Sequence, residues 1–370
     1  MEKKGFVRKV SKIIMGIITL IVCIAGLLAL LAQYSDPRIV HYVHLFGLLF
    51  PVLFLAFLIL FLILLLQRNW MGFLPLAMVI LSWSTMSTFT PINKQNDKQS
   101  QLKALTYNLH LFRGPNGSGK PKEYAGKISS MISQSNTDLV FLQEFMAWSD
   151  QPDQDLSDFI GLCGMEYYRF DPYWEKGNVK NEGMLILSRF PLVNGQTVRH
   201  ENGRMIAQQV MVKLPGNMSV QLVNVHLVSF GLARKEIELV GEGTITDRAM
   251  FKAHGRTLIG KLNNSFKKRA SEVNMILDNL ILSDQKNMIV GGDFNDTPAS
   301  YTYRELISFG LKDSHHESGQ GFISTYAGRL PFLRIDYIFV SQNIGTTESG
   351  KLPVVFSDHY PYVSGIYFNE

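Results

Sequence analysis

Eight polar residues of this chain form one chemically complete set: Asn108, Glu144, His226, Asp293, Asn295, Asp336, Asp358 and His359. Glu144 and Asp358 offer hard oxygen ligands of the kind a Mg²⁺ ion prefers, with water and a substrate phosphate completing its shell. An aspartate such as Asp293 orients and deprotonates an attacking water once its surroundings tune its pKa. The amides of Asn108 and Asn295 can fix that aspartate and a ligand without adding charge beside an anionic substrate. His226 and His359 can donate hydrogen bonds to non-bridging oxygens as charge builds in a transition state. Asp336 can hold the tautomer of His359, as a carboxylate partner does in other hydrolases. The reaction these types would perform together is phosphoester hydrolysis. Singly, each has an ordinary explanation: an Asp after Gly-Gly caps a turn, a strand His packs, and a terminal Glu is solvated. The conjunction carries the reading.

These residues sit at the ends of predicted strands, where a rigid scaffold presents side chains. Leu102 to Leu109 alternates like a strand and contains Asn108. A helix over Tyr124 to Ser135 leads into the apolar strand Leu139 to Leu142, with Glu144 directly after it. Further strands are expected at Met184 to Leu187, Ile206 to Leu214 and Ser219 to Leu227, the last two forming a hairpin around Pro215-Gly216-Asn217. Thr257 to Leu282 has helical spacing, and Met288 to Val290 is a buried strand leading to Asp293. Ile335 to Val340 and Tyr362 to Phe368 complete the set. Hairpins mixed with β-α alternation imply α/β layers, two packed sheets with helices outside.

Charge and hydropathy divide the chain near Gln101. Residues 1–100 hold nine Lys or Arg against three acidic residues, whereas the remainder balances at −1. The C-terminal part therefore lacks the basic excess usual in a domain that lives on DNA phosphate contacts. Two cysteines, Cys23 and Cys163, exclude a disulfide framework or a Cys-based zinc site. The N-terminal 1–90 reads as a membrane region with three spans, at about 13–32, 43–66 and 71–89. Five basic residues before the first span favour a cytoplasmic N-terminus. Three spans then place the catalytic part on the extracytoplasmic side of a multi-pass inner-membrane protein. Residues 91–101 read as a linker and 102–370 as the catalytic domain.

The ordered series YNLH, FLQEF, GMLILSRFP, VNVHL, GGDFND, RIDYIFVS and SDHYP resembles the endonuclease/exonuclease/phosphatase superfamily. That resemblance implies a four-layer α/β sandwich and dependence on Mg²⁺ or Mn²⁺. It implies that Glu144 is the principal metal ligand, with Asn108 and Asp358 beside it. Asp293 and Asn295 resemble the water-activating and positioning pair, His226 and His359 the phosphate-binding histidines, and Asp336 the partner of His359. Arg189 also matches the pattern, beside a structural role at its strand end.

A long insert, 229–256, departs from the short family connection and reads as a lid, a lipid-headgroup contact or a solvated helical excursion. The expected partners are the lipid bilayer and a phosphoester substrate, either a lipid headgroup or nucleic acid, with no obligate protein partner. Three functions follow: a phosphoesterase at the membrane surface, a membrane-tethered nuclease, and a non-catalytic membrane scaffold.

Overall fold

The computed structural model describes residues 2–93, 98–174, 181–231, 248–281, 286–328, 330 and 332–369. Residues 232–247 of the insert, and with them most of the predicted lid, lie outside the described residues. The N-terminal region contains helices α1 (Glu2–Ala32), α2 (His44–Leu48), α3 (Phe50–Leu66) and α4 (Phe73–Phe89). There follow β1 (Leu102–Asn108), α5 (Pro121–Gln134), β2 (Leu139–Met146), α6 (Pro152–Cys163), β3 (Tyr167–Pro172), β4 (Glu182–Ser188), β5 (Leu192–Arg199), β6 (Met205–Lys213) and β7 (Ser219–His226). The chain ends with α7 (Arg248–Ile281), β8 (Met288–Asp293), α8 (Tyr301–Ser308), β9 (Leu311–Asp313), α9 (Ser314–Ser318), β10 (Asp336–Ser341), β11 (Ile344–Lys351) and β12 (Tyr362–Phe368).

Two mixed six-stranded sheets result, ordered β11-β12-β1-β2-β4-β3 and β5-β6-β7-β8-β10-β9. Only β1–β2 and β7–β8 pair in parallel among the named neighbours. Apolar residues of α5 and α6 cover one outer face, packing Ile128, Ile132 and Phe159 on Leu105 and Val140. Those of α7 and α8 cover the other, with Val273, Ile276 and Leu306 on Val223 and Val290. The architecture is the four-layer α/β sandwich expected.

Side-chain alternation along the strands determines where the polar set goes. In β1, Leu102 and Ala104 enter the layer between the sheets while Leu105 and Tyr107 face the helices. The same parity sends Asn108 inward. It likewise places His226 after Val220 and Leu222, Asp293 after Ile289, and Asp336 before Ile338 and Val340. Parallel β1–β2 and β7–β8, with antiparallel β10 and β12, bring all these termini to one edge of the sandwich. A polar key crosses the layer just beneath: the Gln143 amide donates to Asn224 Oδ1 (2.7 Å) and Thr106 Oγ1 (3.2 Å), and Asn224 donates to the Leu142 carbonyl (2.9 Å). Each bond is worth about 1 kcal/mol net, but a slip that orphaned these buried amides would cost about 1–3 kcal/mol apiece. The sheets are thereby held in register. They also approach closely: a Cβ on Gly291 would lie 2.6 Å from the Phe141 ring.

Several expectations need correction. Asp293 ends β8 itself, because the strand runs three residues beyond Val290. Helix α7 begins at Arg248, nine residues before the expected start. The predicted second span, 43–66, is not one helix: it breaks at Leu49 into α2 and α3. Pro51 explains the break, since it lacks an amide donor and its ring crowds the carbonyl four residues earlier. Lys9–Ala32 and Trp70–Phe89 are long and apolar enough to cross a membrane, whereas Phe50–Leu66 is 17 residues, about 26 Å of helix. The start of the predicted linker is bound rather than free. The Pro91 carbonyl accepts from Gly321 N (2.9 Å), and the Asn93 amide donates to the carbonyls of His316 (2.9 Å) and Gly319 (3.0 Å).

The close approach of the sheets generates a prediction. Gly291→Ala should lower stability by about 1–3 kcal/mol through overpacking, read as a fall in thermal midpoint. Phe141→Leu in the same chain should recover part of that loss, because the two positions share one contact.

Candidate active site

A cavity of about 250 Å³ opens at the polar edge of the sandwich, and Asn108, Glu144, Asp293, Asn295, Asp358 and His359 line it. Asn108 stands at its centre. One amide nitrogen, Nδ2, donates to Glu144 Oε1 (3.1 Å) and to Asp293 Oδ2 (3.0 Å), carboxylates from opposite sheets. Its Oδ1 accepts from the His110 amide (2.9 Å).

Glu144 reaches this point through a bulge. Val140, Leu142 and Phe145 all pack against the helix side, so regular alternation fails between Leu142 and Phe145. Glu144 absorbs the irregularity at φ 54°, which turns its carboxylate into the seam. The Tyr173 hydroxyl accepts its backbone N–H (3.0 Å).

Tyr173 also sets the state of His226. Burial first, then the charge of nearby Glu144, raises its phenol well above the ordinary value, so it is protonated and donates to His226 Nδ1 (2.6 Å). With Nδ1 accepting, the imidazole carries its proton on Nε2, facing Glu144 Oε1 (3.5 Å) and Asp293 Oδ2 (3.9 Å). Burial, reinforced by the charges of Arg204 and His359, pushes the His226 pKa well below 6.5. Arg204 is placed to do this by its bond to the His226 carbonyl (3.2 Å).

His359 is the opposite case. Burial would lower its pKa, but the carboxylates of Asp336 and Asp293 outweigh that and raise it well above 6.5. Its Nδ1 donates to Asp336 Oδ2 (2.9 Å) and Oδ1 (3.1 Å), leaving Nε2 3.7 Å from Asp293 Oδ2. Asp336 is itself held by Thr325, whose hydroxyl oxygen accepts the backbone N–H groups of Ile335 (2.9 Å) and Asp336 (3.0 Å).

Asp293 accepts from Asn295 N at Oδ1 (2.9 Å) and from Asn295 Nδ2 at Oδ2 (3.2 Å). Asn295, at φ 52°, is anchored by a bond to the Leu227 carbonyl (3.0 Å). Burial raises the Asp293 pKa to about 7 against the opposing charge of His359 and the Asn108 donor. Burial also raises Glu144, and the Asp358 carboxylate adds to the effect. Asp358 Oδ1 accepts from Ser357 Oγ (3.2 Å) and lies 3.3 Å from His110 Nδ1.

The structure thus brings together all eight residues singled out in the sequence. Among the described residues, the tightest group of possible metal-liganding atoms is Asp293, Asp336 and His359, within 4.8 Å of one another. That group differs from the expected Glu144, Asn108 and Asp358. Because His359 Nδ1 is already engaged by Asp336, its geometry is that of a histidine–carboxylate dyad beside Asp293. The carboxylates of Glu144 and Asp358, each raising the proton affinity of the buried pocket, fit a hard divalent cation that would relieve their repulsion. Arg189 lies elsewhere: its amide bonds the Asp138 carbonyl (3.0 Å) and its side chain is half exposed, a structural role at the strand end. Sequence reasoning missed Tyr173, His110 and Arg204. His110 lies inside the YNLH motif, whereas Tyr173 follows the edge strand Tyr167–Pro172 and Arg204 a polar turn, neither within a motif that marks it.

Residues 105–359 match the sequence model of the Endonuclease/Exonuclease/phosphatase family, and residues 11–89 match one described as a domain of unknown function. No curated protein matches the sequence. Among solved structures, similar chains include an endonuclease/exonuclease/phosphatase from Beutenbergia cavernae (TM-score 0.53, 19% identity, 73% of this chain and 72% of that one). The mannosyl-6-phosphatase of Bacteroides thetaiotaomicron gives a TM-score of 0.52 at 18% identity, covering 72% of this chain and all of its own. The catalytic domain of human Nocturnin with bound sulfate gives 0.51 at 20% identity, covering 76% and 99%. At these identities the likeness is one of fold.

Tyr173→Phe tests the tautomer argument. Losing the hydroxyl frees His226 Nδ1 to carry the proton, so kcat should fall about tenfold or more with the fold intact by circular dichroism. Histidine ¹⁵N spectra should show His226 leaving the Nε2–H form.

Proposed function

The chain belongs to the endonuclease/exonuclease/phosphatase family, whose members are hydrolases of phosphoester bonds, and from that premise we propose a membrane-anchored, divalent-cation-dependent phosphoesterase acting on lipid headgroups at the bilayer surface. The observation that carries the reaction class is the shared Asn108 donor, which joins Glu144 and Asp293 in a cavity that His359 lines and whose two carboxylates His226 faces at 3.5 and 3.9 Å.

Glu144 and Asp358, with the amide of Asn108 beside them, are the residues that would hold Mg²⁺ or Mn²⁺. Such a cation supplies charge neutralisation at the phosphoryl oxygens. Asp293, oriented by Asn295 and Asn108, takes the proton of the attacking water; a pKa near 7 suits it to that role. Cationic His359 lines the pocket and neutral His226 turns Nε2–H toward its carboxylates, and both bond the non-bridging oxygens as charge develops. Asp336 keeps His359 charged and oriented.

Membrane anchorage is supported by the apolar helices and by how they meet the catalytic domain. The loop after α1 packs on it, with Tyr42 N donating to Asn263 Oδ1 (3.0 Å) and Arg304 stacked over Tyr34 (4.9 Å). The far end of α4 packs on it too, Phe89 stacking on Phe322 (6.5 Å). Those two points lie at one end of the bundle, as three antiparallel crossings require. With the basic N-terminus cytoplasmic, the catalytic domain is extracytoplasmic. A site held against the spans meets substrate in the bilayer, and the near-neutral catalytic domain argues against nonspecific nucleic-acid binding.

Full-length protein reconstituted into vesicles of phospholipid and sphingomyelin should release phosphorylated headgroup or phosphate in the presence of Mg²⁺. EDTA should abolish turnover, and Asp293→Asn should lower kcat by about 10²–10⁴-fold. Wild-type activity should rise with pH as Asp293 loses its proton. Intact lipids together with nicking of plasmid DNA that weakens steeply with salt would replace this reading by the nuclease.

A further inference from the structure

We infer that the N-terminal helix bundle is a working part of the site, because the seat of Ala299 on Gly47 positions the 294–300 turn that carries Asn295. The inference rests on the proposed roles of Asp293 and Asn295.

Ala299, four residues after Asn295, is buried in a cluster that otherwise belongs to the bundle, with Cys23, Ala29, Phe50, Phe54 and Phe89. The contact is backbone-tight. A Cβ on Gly47 would lie 2.5 Å from the Ala299 carbonyl oxygen and 3.1 Å from the Ala32 Cβ, so only glycine admits the turn at this distance. The helix break before Pro51 delivers Gly47 to this point. A second tether reaches the other arm of the site. Arg334, two residues before Asp336 and fully buried, holds Asp313 through two bonds (2.6 and 3.0 Å) and donates from Nη2 to the Thr88 carbonyl in the last turn of α4 (3.1 Å). The bundle therefore touches the chain within four residues of Asn295 and within two of Asp336. A simple anchor would need neither contact. Packed interiors transmit displacement instead of absorbing it, and a shift of about 1 Å at a reacting group can cost about 10²-fold in rate.

The test uses the full-length chain in bilayer nanodiscs and bis(p-nitrophenyl) phosphate, a soluble diester whose access does not depend on lipid presentation. Three variants are compared: Gly47→Ala, Ala299→Gly and Gly16→Ala, the last packing on the flexible tip of Met71 away from the catalytic domain. Gly47→Ala should lower kcat about tenfold with KM within about twofold, and hydrogen exchange should quicken in 294–300 while β7 and β10 stay protected. Ala299→Gly, which deletes one methyl without a clash, should move both readouts the same way by less, and it decides the matter if Gly47→Ala fails to fold. Gly16→Ala should change neither. Wild-type kcat or wild-type exchange at 294–300 in both contact variants overturns the inference, as does an equal response from Gly16→Ala. If wild-type protein hydrolyses no phosphoester, the proposed function fails, while the exchange measurement still decides whether the bundle orders this turn.

Discussion

Everything at the catalytic edge depends on one amide nitrogen. Asn108 Nδ2 has two hydrogens and gives one to Glu144, from its own sheet, and one to Asp293, from the sheet opposite. A neutral donor is suited to this position, since a lysine would fill the pocket with charge that a cation and a phosphate must occupy. The arrangement survives only if the two sheets keep their spacing and register to a fraction of an ångström. Gly291 under the Phe141 ring sets the spacing, and the Gln143–Asn224 pair sets the register. Beneath that pair the layer is apolar, so a register slip would bury polar ends among Ile289, Ile338 and Leu222.

Two histidines of identical chemistry acquire opposite charge states from their neighbours. His226 has a phenol on one side and an arginine nearby, so burial prevails and it stays neutral. His359 has two carboxylates, and they overcome a comparable burial. Both nevertheless turn Nε2–H toward Asp293 Oδ2, at 3.9 and 3.7 Å, one as a dipole and one as a charge. Their partners Tyr173 and Asp336 thus govern the electrostatics at a bond's remove.

Much of this was legible in the residues. Asn108, His226, Asp293 and Asp336 could be placed at strand ends from sequence, whereas their shared inward parity could not, because these strands are buried on both faces and read as near-continuous apolar runs. Glu144 is less transparent. Its strand continues two residues past it, and only the bulge turns it to the correct side. The strands that escaped notice, β3, β5, β9 and β11, are short or carry polar runs such as LVNGQTVR and IGTTESGK. All four lie at sheet edges, where one side lacks a strand partner and the periodic signal is weak. The helix break at Leu49 was hidden by unbroken hydropathy across 43–66, although Pro51 was its local sign. Contacts such as Gly47 with Ala299 join distant parts of the chain, and no local pattern encodes them.

The central claim is that carboxylates from two sheets, their proton affinity raised by burial, converge on one pocket where they would hold a divalent cation. Calorimetric titration of the full-length chain with Mn²⁺ near pH 7, repeated in buffers of different ionisation enthalpy, measures this directly, because uptake by groups of raised pKa must expel protons. The account predicts saturable binding with proton release, and loss of both in Glu144→Gln. Absence of binding, or binding without proton release and indifferent to Glu144, would contradict it.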